Sequence, residues 1–128
     1  MAFTVSLDDL VGRNQNGLLS VHPSWERVRL GDVASVLNGF AFPSSDFSNQ
    51  PGVPLLRIRD VLRDRTEAFF TGVYDDRYLT YPGELVIGMD GDFNCALWQG
   101  PPALLNQRVC KVTVRDNCYD LRFLQYVL

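Results

Sequence analysis

The sequence predicts an α+β domain built on a curled, mainly antiparallel sheet that forms a partial barrel, with a few short helices. Two observations support this class. Short apolar segments follow one another between Gly and Pro breaks, and strands do not alternate with long helices as they do in βαβ folds. The chain of 128 residues, with 46% hydrophobic and 21% charged residues, has the length and composition of one globular domain.

The first part of the chain predicts a polar arm followed by mixed short elements. Residues 1–24 contain a polar stretch rich in Gly, Asn and Gln, which is typical of an N-terminal arm. Alternating apolar residues predict a strand over 25–30. Asp32 can cap a helix over 32–38, which Gly39 would end, and a long loop then covers 40–52.

The second part predicts strands joined by tight turns and a closing helix. Asp90-Gly91 is the composition of a two-residue hairpin turn. Either Asp116 or Asn117 could cap a helix over 119–128, which ends without the usual stop signals and suggests a truncated chain. The predicted strands are 53–61, 69–74, 84–89, 93–98 and 106–114.

Several classes of protein are disfavoured by composition. Three cysteines without a C-x-x-C pair and a single histidine argue against a structural zinc site, and we expect no metal and no cofactor. The N-terminus has no basic region before an apolar run, so a secretory signal is not expected. No apolar stretch approaches the roughly 18 residues of a membrane span. We therefore expect a cytoplasmic protein with reduced thiols and no membrane partner.

Enzymatic chemistry finds little support in the motifs. His22 stands in the polar arm, and no serine or cysteine lies in a nucleophile elbow. Phosphate-binding glycine loops are absent from the sequence. Asp90 and Asp92 could hold Mg²⁺ for a nuclease reaction, although the same residues fit an ordinary hairpin turn with one solvated carboxylate.

Arginine dominates the positive charge. The formal net charge is −3, yet Lys111 is the only lysine among 12 cationic residues. Four arginines fall in the segment 57–65, and Asn106, Gln107 and Arg108 form a second polar cluster. Arginine, asparagine and glutamine are the side chains that read base edges in DNA. Neighbouring carboxylates could instead neutralise these arginines on a solvated face, and an arginine-rich composition also follows from a GC-rich genome.

Five motifs, in order, resemble those of one family. They are WERVRLGDVASVLNGFAFPSSDF, VPLLRIRDV, YLTYPGELVIGMDGDFNCALW, LLNQRVCKV and YDLRFLQYVL. Their order and spacing over residues 25–128 are similar to the target recognition domain of type I restriction–modification specificity subunits. The resemblance divides the chain into an arm at 1–24, the recognition domain at 25–118 and the start of a spacer helix at 119–128.

The resemblance implies a DNA reader without catalytic activity of its own. Such domains read one half of a split double-stranded DNA target, and the spacer helices bind methyltransferase subunits, which use S-adenosylmethionine. The complete complex recruits an ATP-driven restriction subunit. A protein-interaction or assembly module is the alternative function, and a Mg²⁺-dependent nuclease is a weaker one.

DNA contacts are expected in loops carried on the rigid scaffold, over 42–52, 63–71 and 92–101. The strongest candidates for contacts with the DNA backbone or bases are Arg57, Arg59, Arg63 and Arg65. The weaker candidates are Asn94, Trp98 and Gln99.

Overall fold

A computed structural model describes residues 23–115 and 119–128. Two short α-helices and nine short strands lie in this part of the chain, together with three turns of 3₁₀-helix. The helices are α1 (Leu30–Val33) and α2 (Leu121–Val127). The strands are β1 (Ala34–Asn38), β2 (Phe47–Ser48), β3 (Val53–Leu56), β4 (Ala68–Phe70), β5 (Leu79–Thr80), β6 (Leu85–Gly88), β7 (Cys95–Leu97), β8 (Ala103–Leu105) and β9 (Val109–Val114). The 3₁₀ turns are Ser44–Asp46, Ile58–Asp60 and Asp76–Tyr78.

The strands form two open sheets. The first has the order β1-β9-β6-β7, and all its neighbouring strands are antiparallel. The second has the order β2-β4-β3-β8-β5, in which β3 and β8 run parallel and the other neighbours are antiparallel. The predicted α+β class with a mainly antiparallel, curled sheet is therefore confirmed, in the form of two sheets instead of one.

The two sheets meet where β1 ends beside the chain that joins β8 to β9. A parallel bridge links Phe40 to Asn106, and the Phe40 N–H donates to the Leu105 carbonyl at 3.0 Å. Gly39 lies so close to the backbone here that a Cβ would come within 1.9 Å of the Asn106 carbonyl oxygen. Glycine is required at this position because any side chain would meet backbone atoms that cannot move aside.

The main core lies between the sheets and is almost entirely aliphatic. Leu56, Val61, Val86 and Leu105 are fully buried there around the indole of Trp98. A second cluster on the other face of the five-stranded sheet contains Phe42, Leu55, Ala68, Phe70 and Leu104. Burying side chains of this size contributes roughly 1.5–3 kcal/mol each, so these clusters hold the loops on a firm scaffold.

Two predictions for the first elements are wrong. The predicted strand over 25–30 is absent, because β1 occupies the free edge of β9 and residues 25–29 stay outside both sheets. The predicted helix over 32–38 is a strand from Ala34 onward, and only Leu30–Val33 is helical. Val36 pairs with Val112 in the ladder, so long-range backbone pairing overrides a local apolar spacing that suits a helix.

The middle strands are shorter than predicted. The strand predicted over 53–61 ends at Leu56, after which the chain turns into Ile58–Asp60. The strand predicted over 69–74 corresponds to β4. The hairpin at Asp90-Gly91 is longer than two residues, because Gly88 donates to the Asn94 carbonyl and residues 89–93 form the loop. The strands over 84–89 and 93–98 are confirmed in their central residues.

The last strand and helix are confirmed with shifted ends. The strand predicted over 106–114 begins at Val109, since Arg108 has a φ of +66° and breaks the extended backbone. Asp120, whose carboxylate accepts from the Arg122 N–H, caps α2. The predicted caps at 116 and 117, and the arm over 1–22, lie outside the described residues. Within the described ranges, no helix has the length and apolar character needed to cross a membrane.

Candidate nucleic-acid interface

A short turn after β3 presents the first two candidate arginines. The Asp60 carboxylate accepts from the Arg57 N–H at 3.0 Å, and the Asp60 N–H donates to the Arg57 carbonyl at 2.8 Å. These two reciprocal bonds bend the chain out of the strand into the 3₁₀ turn. Because the strand ends at Leu56, Arg57 and Arg59 lie in the turn and not in the strand predicted over 53–61.

Asp60 is buried, contrary to the idea that it merely neutralises a solvated face. Its side chain is 0% exposed, and Oδ2 lies 3.9 Å from the Arg57 Nε. Burial raises the pKa of this carboxyl, while the Arg57 N–H and the charges of Arg57 and Arg59 act in the opposite direction. Neither Asp60 Oδ1 nor Arg57 Nε has a hydrogen-bond partner in the described part of the chain.

An open groove of about 440 Å³ lies beside this turn. Arg59 lines this groove, and Arg59 and Arg63 share one lining carboxylate, with nitrogens 3.6 Å and 3.4 Å from the Glu67 oxygens. Their side chains are about half exposed, so this solvent-exposed group of two arginines and one glutamate has a positive net charge. The lining residues include Phe47, Ser48, Asn49, Arg57, Arg59 and Glu67.

The loop with Arg63 and Arg65 is docked onto the loop that contains Gln99. Asp64 has a φ of +52°, and its carboxylate accepts from the Gln99 N–H at 3.0 Å. Arg65 is exposed and has no ion pair with any residue of 23–115 or 119–128. The structure therefore brings Arg63 and Arg65 into a loop next to that of Gln99, although Gln99 lies more than 30 residues further along the chain.

Trp98 does not belong to this surface. Its indole is 0% exposed, and its Nε1–H donates to the Pro101 carbonyl at 2.9 Å. A ring buried among aliphatic side chains cannot reach DNA, so we withdraw Trp98 as a contact residue. Its physical role is to fill the core beneath the Gln99 loop.

Asn94 lies across the hairpin from Gly88, which is close to Ile58. The Gly88 N–H donates to the Asn94 carbonyl at 2.8 Å, and a Cβ on Gly88 would come within 2.9 Å of the Ile58 side chain. The start of the 89–93 loop therefore lies near Ile58. Phe93 in this loop has a φ of +51° and is 59% exposed.

The paired carboxylates are arranged for a turn. Asp90 Oδ2 lies 2.8 Å from Arg108 Nη1, and Oδ1 accepts from the Gly91 N–H. Across residues 23–115 and 119–128, no three His, Cys, Asp or Glu side chains are grouped as metal ligands. Within those residues, no further His, Cys, Asp or Glu side chain is grouped with Asp90 and Asp92. Burial raises the pKa of the Cys95 and Cys110 thiols, which disfavours a reactive thiolate.

Three exposed residues were missed as individual candidates. Asn49 lines the groove, Phe93 stands at a loop tip, and Arg108 reaches Asp90. The loops 42–52 and 92–101 were expected to carry contacts, so Asn49 and Phe93 could have been found from their loops. Arg108 belongs to a polar cluster visible in the sequence, in which Asn106 is buried.

Comparison with known proteins identifies the family of the chain. Residues 23–128 match the family model described as "Type I restriction modification DNA specificity domain". The chain is 49% identical, over 129 aligned residues, to the type I restriction enzyme EcoBI specificity subunit of Escherichia coli. That alignment covers 100% of this chain and 27% of the relative, so the chain spans about a quarter of the subunit's length.

Two solved structures share the fold. The HsdS subunit from Thermoanaerobacter tengcongensis superposes with a TM-score of 0.63 at 19% identity, covering 83% of this chain and 29% of that chain. A chain from a structural study of type I R-M system assembly and conformational transition superposes with a TM-score of 0.66 at 18% identity, covering 84% and 28%. With the family match over residues 23–128, these comparisons establish that the chain belongs to the type I restriction–modification DNA specificity domain family.

Proposed function

We propose that this chain is the module of a type I specificity subunit that reads one half-site of a bipartite DNA target. The observation that carries the proposal is the arginine surface formed by the 57–60 turn and the 63–66 loop in a member of this family. The module has no catalytic activity of its own. It directs methyltransferase and restriction subunits, in the cytoplasm, to the DNA sequence that it reads.

The chemistry of the surface supports DNA as the ligand. Guanidinium groups bind phosphates and guanine edges with two parallel hydrogen bonds. Arg59, Arg63 and Arg65 are exposed, while the backbone beneath them is held by Asp60 and Asp64. A rigid base carrying exposed cationic side chains suits a ligand with a regular array of negative charges.

The net charge of −3 predicts that the isolated chain binds DNA weakly. Neutralisation of phosphates supplies much of the affinity of DNA-binding proteins, and an acidic domain supplies little of it. We expect a Kd on the order of tens of micromolar or weaker at physiological salt. A second recognition domain and the methyltransferase subunits would raise the affinity in the complex through effective concentration.

The test is an exchange of recognition domains. The segment of the EcoBI specificity subunit that aligns with this chain is replaced by this chain, and the chimera is produced with its methyltransferase subunits. Methylated sites are then mapped across a genome, with the parent subunit as control. We expect a bipartite sequence with one half set by this chain. An assembled, folded complex whose methylated sites share only the other half-site would contradict the proposal.

A second candidate function, as an assembly surface, is favoured by the apolar side chains around α2. Phe123, Tyr126 and Val127 are exposed, and an apolar cavity of about 200 Å³ separates the helix from residues 28–33. We propose a methyltransferase subunit as the partner. Replacing Phe123 and Tyr126 with serine in the chimera should reduce its co-purification with that subunit. Unchanged co-purification would refute this role. Leu124 of the same helix is buried and does not contribute to this surface.

A further inference from the structure

Arg57 differs from the other arginines of the surface in its burial. Its side chain is 21% exposed, against 52% for Arg59 and 51% for Arg63. Arg57 lines the groove and has the Asp60 carboxylate 3.9 Å from its Nε. Its guanidinium is therefore confined between a buried negative charge and an open groove.

The partner of Arg57 is itself fixed. Asp60 is fully buried and accepts the Arg57 N–H, and its other carboxylate oxygen has no hydrogen-bond donor in the described part of the chain. By contrast, the carboxylate shared by Arg59 and Arg63 is 49% exposed and is screened by solvent. Because Arg57 is more buried than Arg59 and Arg63, its side chain has less conformational freedom to lose when it binds a ligand.

A planar guanidinium that is largely buried beside a carboxylate, at the edge of a groove, matches one nucleic-acid group in particular. Guanine presents O6 and N7 side by side in the major groove, and an arginine fork donates to both. Recognition of this kind depends on orientation, because both bonds must form together. Contacts with phosphates depend chiefly on charge and tolerate a mobile side chain.

We propose that Arg57 reads a guanine base in the DNA half-site and that Asp60 is its positioning residue, while Arg59 and Arg63 contact phosphates. The inference rests on the proposed function and adds a base preference to it. Asp60 acts through Arg57 and does not touch the DNA. The half-site read by this chain accordingly contains a G·C pair at the position that faces the groove.

The test uses the chimeric complex and the half-site found by methylation mapping. Methylation rates are compared on duplexes that carry G·C or each other pair at every position of the half-site. Arg57→Lys keeps the charge and removes the planar fork. We expect this variant to lose discrimination at one guanine by about 5- to 150-fold and to keep the preference at the other positions.

Three further variants distinguish a positioning role of Asp60 from a general effect of charge on DNA binding and from a folding defect. Asp60→Asn should relax discrimination at the same guanine with the other positions unchanged, which a merely structural defect would not do. Arg63→Ala should lower methylation of all duplexes by a similar factor. Arg77→Ala, an exposed arginine paired with Asp75 outside the groove, is the matched control and should leave the rates unchanged.

The outcomes distinguish this inference from the proposed function. A wild-type chimera that reads a half-site without any guanine preference would overturn the role of Arg57 and leave DNA reading intact. The same conclusion follows if Arg57→Lys lowers the rates on all duplexes equally. A wild-type chimera that reads no half-site would overturn both proposals.

Discussion

Replacement of Gly39 by alanine tests the junction of the two sheets. The new Cβ would lie 1.9 Å from the Asn106 carbonyl oxygen and 2.8 Å from the Leu105 carbonyl oxygen, so the end of β1 must move away. Three hydrogen bonds lie at this junction: Gly39 N–H to the Val109 carbonyl, Phe40 N–H to the Leu105 carbonyl, and Gln107 N–H to the Phe40 carbonyl. Each contributes about 1 kcal/mol, and overpacking costs about 1–3 kcal/mol more.

We therefore expect Gly39→Ala to lower the free energy of unfolding by about 4–6 kcal/mol. Urea denaturation of the purified chain measures this loss, as a fall of about 2–3 M in the midpoint for a slope of about 2 kcal/mol/M. Gly31→Ala is the control, because no atom lies within 4 Å of its Cβ position in α1, and it should stabilise the chain by up to about 1 kcal/mol. Equal stability of the two variants would refute the close backbone approach at the junction.

Two further predictions concern charge. In the chimeric complex, Arg59→Ala should reduce the slope of log K against log salt by about 0.9 in titrations of DNA binding, as expected for one lost phosphate contact; an unchanged slope would place Arg59 away from the phosphates. In the chain, the raised pKa of Asp60 means that protonated Asp60 stabilises the fold, and that this contribution disappears as the pH rises through the folded pKa. The lowered pKa of Asp120 means that ionised Asp120 stabilises the fold, and that this contribution disappears as the pH falls through the folded pKa. Urea denaturation between about pH 3 and 7 should therefore show Asp60→Asn gaining stability relative to the wild type as the pH rises and Asp120→Asn losing it; parallel curves would contradict both assignments.

The acidic net charge becomes understandable once the carboxylates are located. Within the arginine segment, Asp60 is buried and organises a turn, and Asp64 is used to hold the Gln99 loop. Among the carboxylates of residues 23–115 and 119–128, Glu67 is the one that pairs with Arg59 and Arg63 in solvent. Negative charges that shape the scaffold thus lower the total charge without neutralising every exposed arginine.

Local sequence signals were sufficient for much of the sheet. A mostly apolar segment predicted the centre of β6, the Asp90-Gly91 turn predicted β7 as its return strand, and alternating apolar residues predicted β9. The predicted helix at the end of the chain is present as α2. Local signals were misleading for β1, because the spacing of Val33, Val36 and Leu37 suits a helix, whereas pairing with β9 makes the segment a strand. The strands β2, β5 and β8 are only two or three residues long and have no periodicity to detect.

For the candidate site, the sequence by itself determined the fold class, the family resemblance and which segments carry arginine, since composition and spacing are properties of the chain. The tertiary structure decided which side chains are available. It buried Trp98 and Asp60, left Arg59 and Arg65 exposed, and brought Gln99 to the Asp64 loop. Whether a side chain is buried, and which strand a segment pairs with, depends on which distant segments pack together. The packing of the two sheets therefore decides burial and pairing at positions where the local pattern does not.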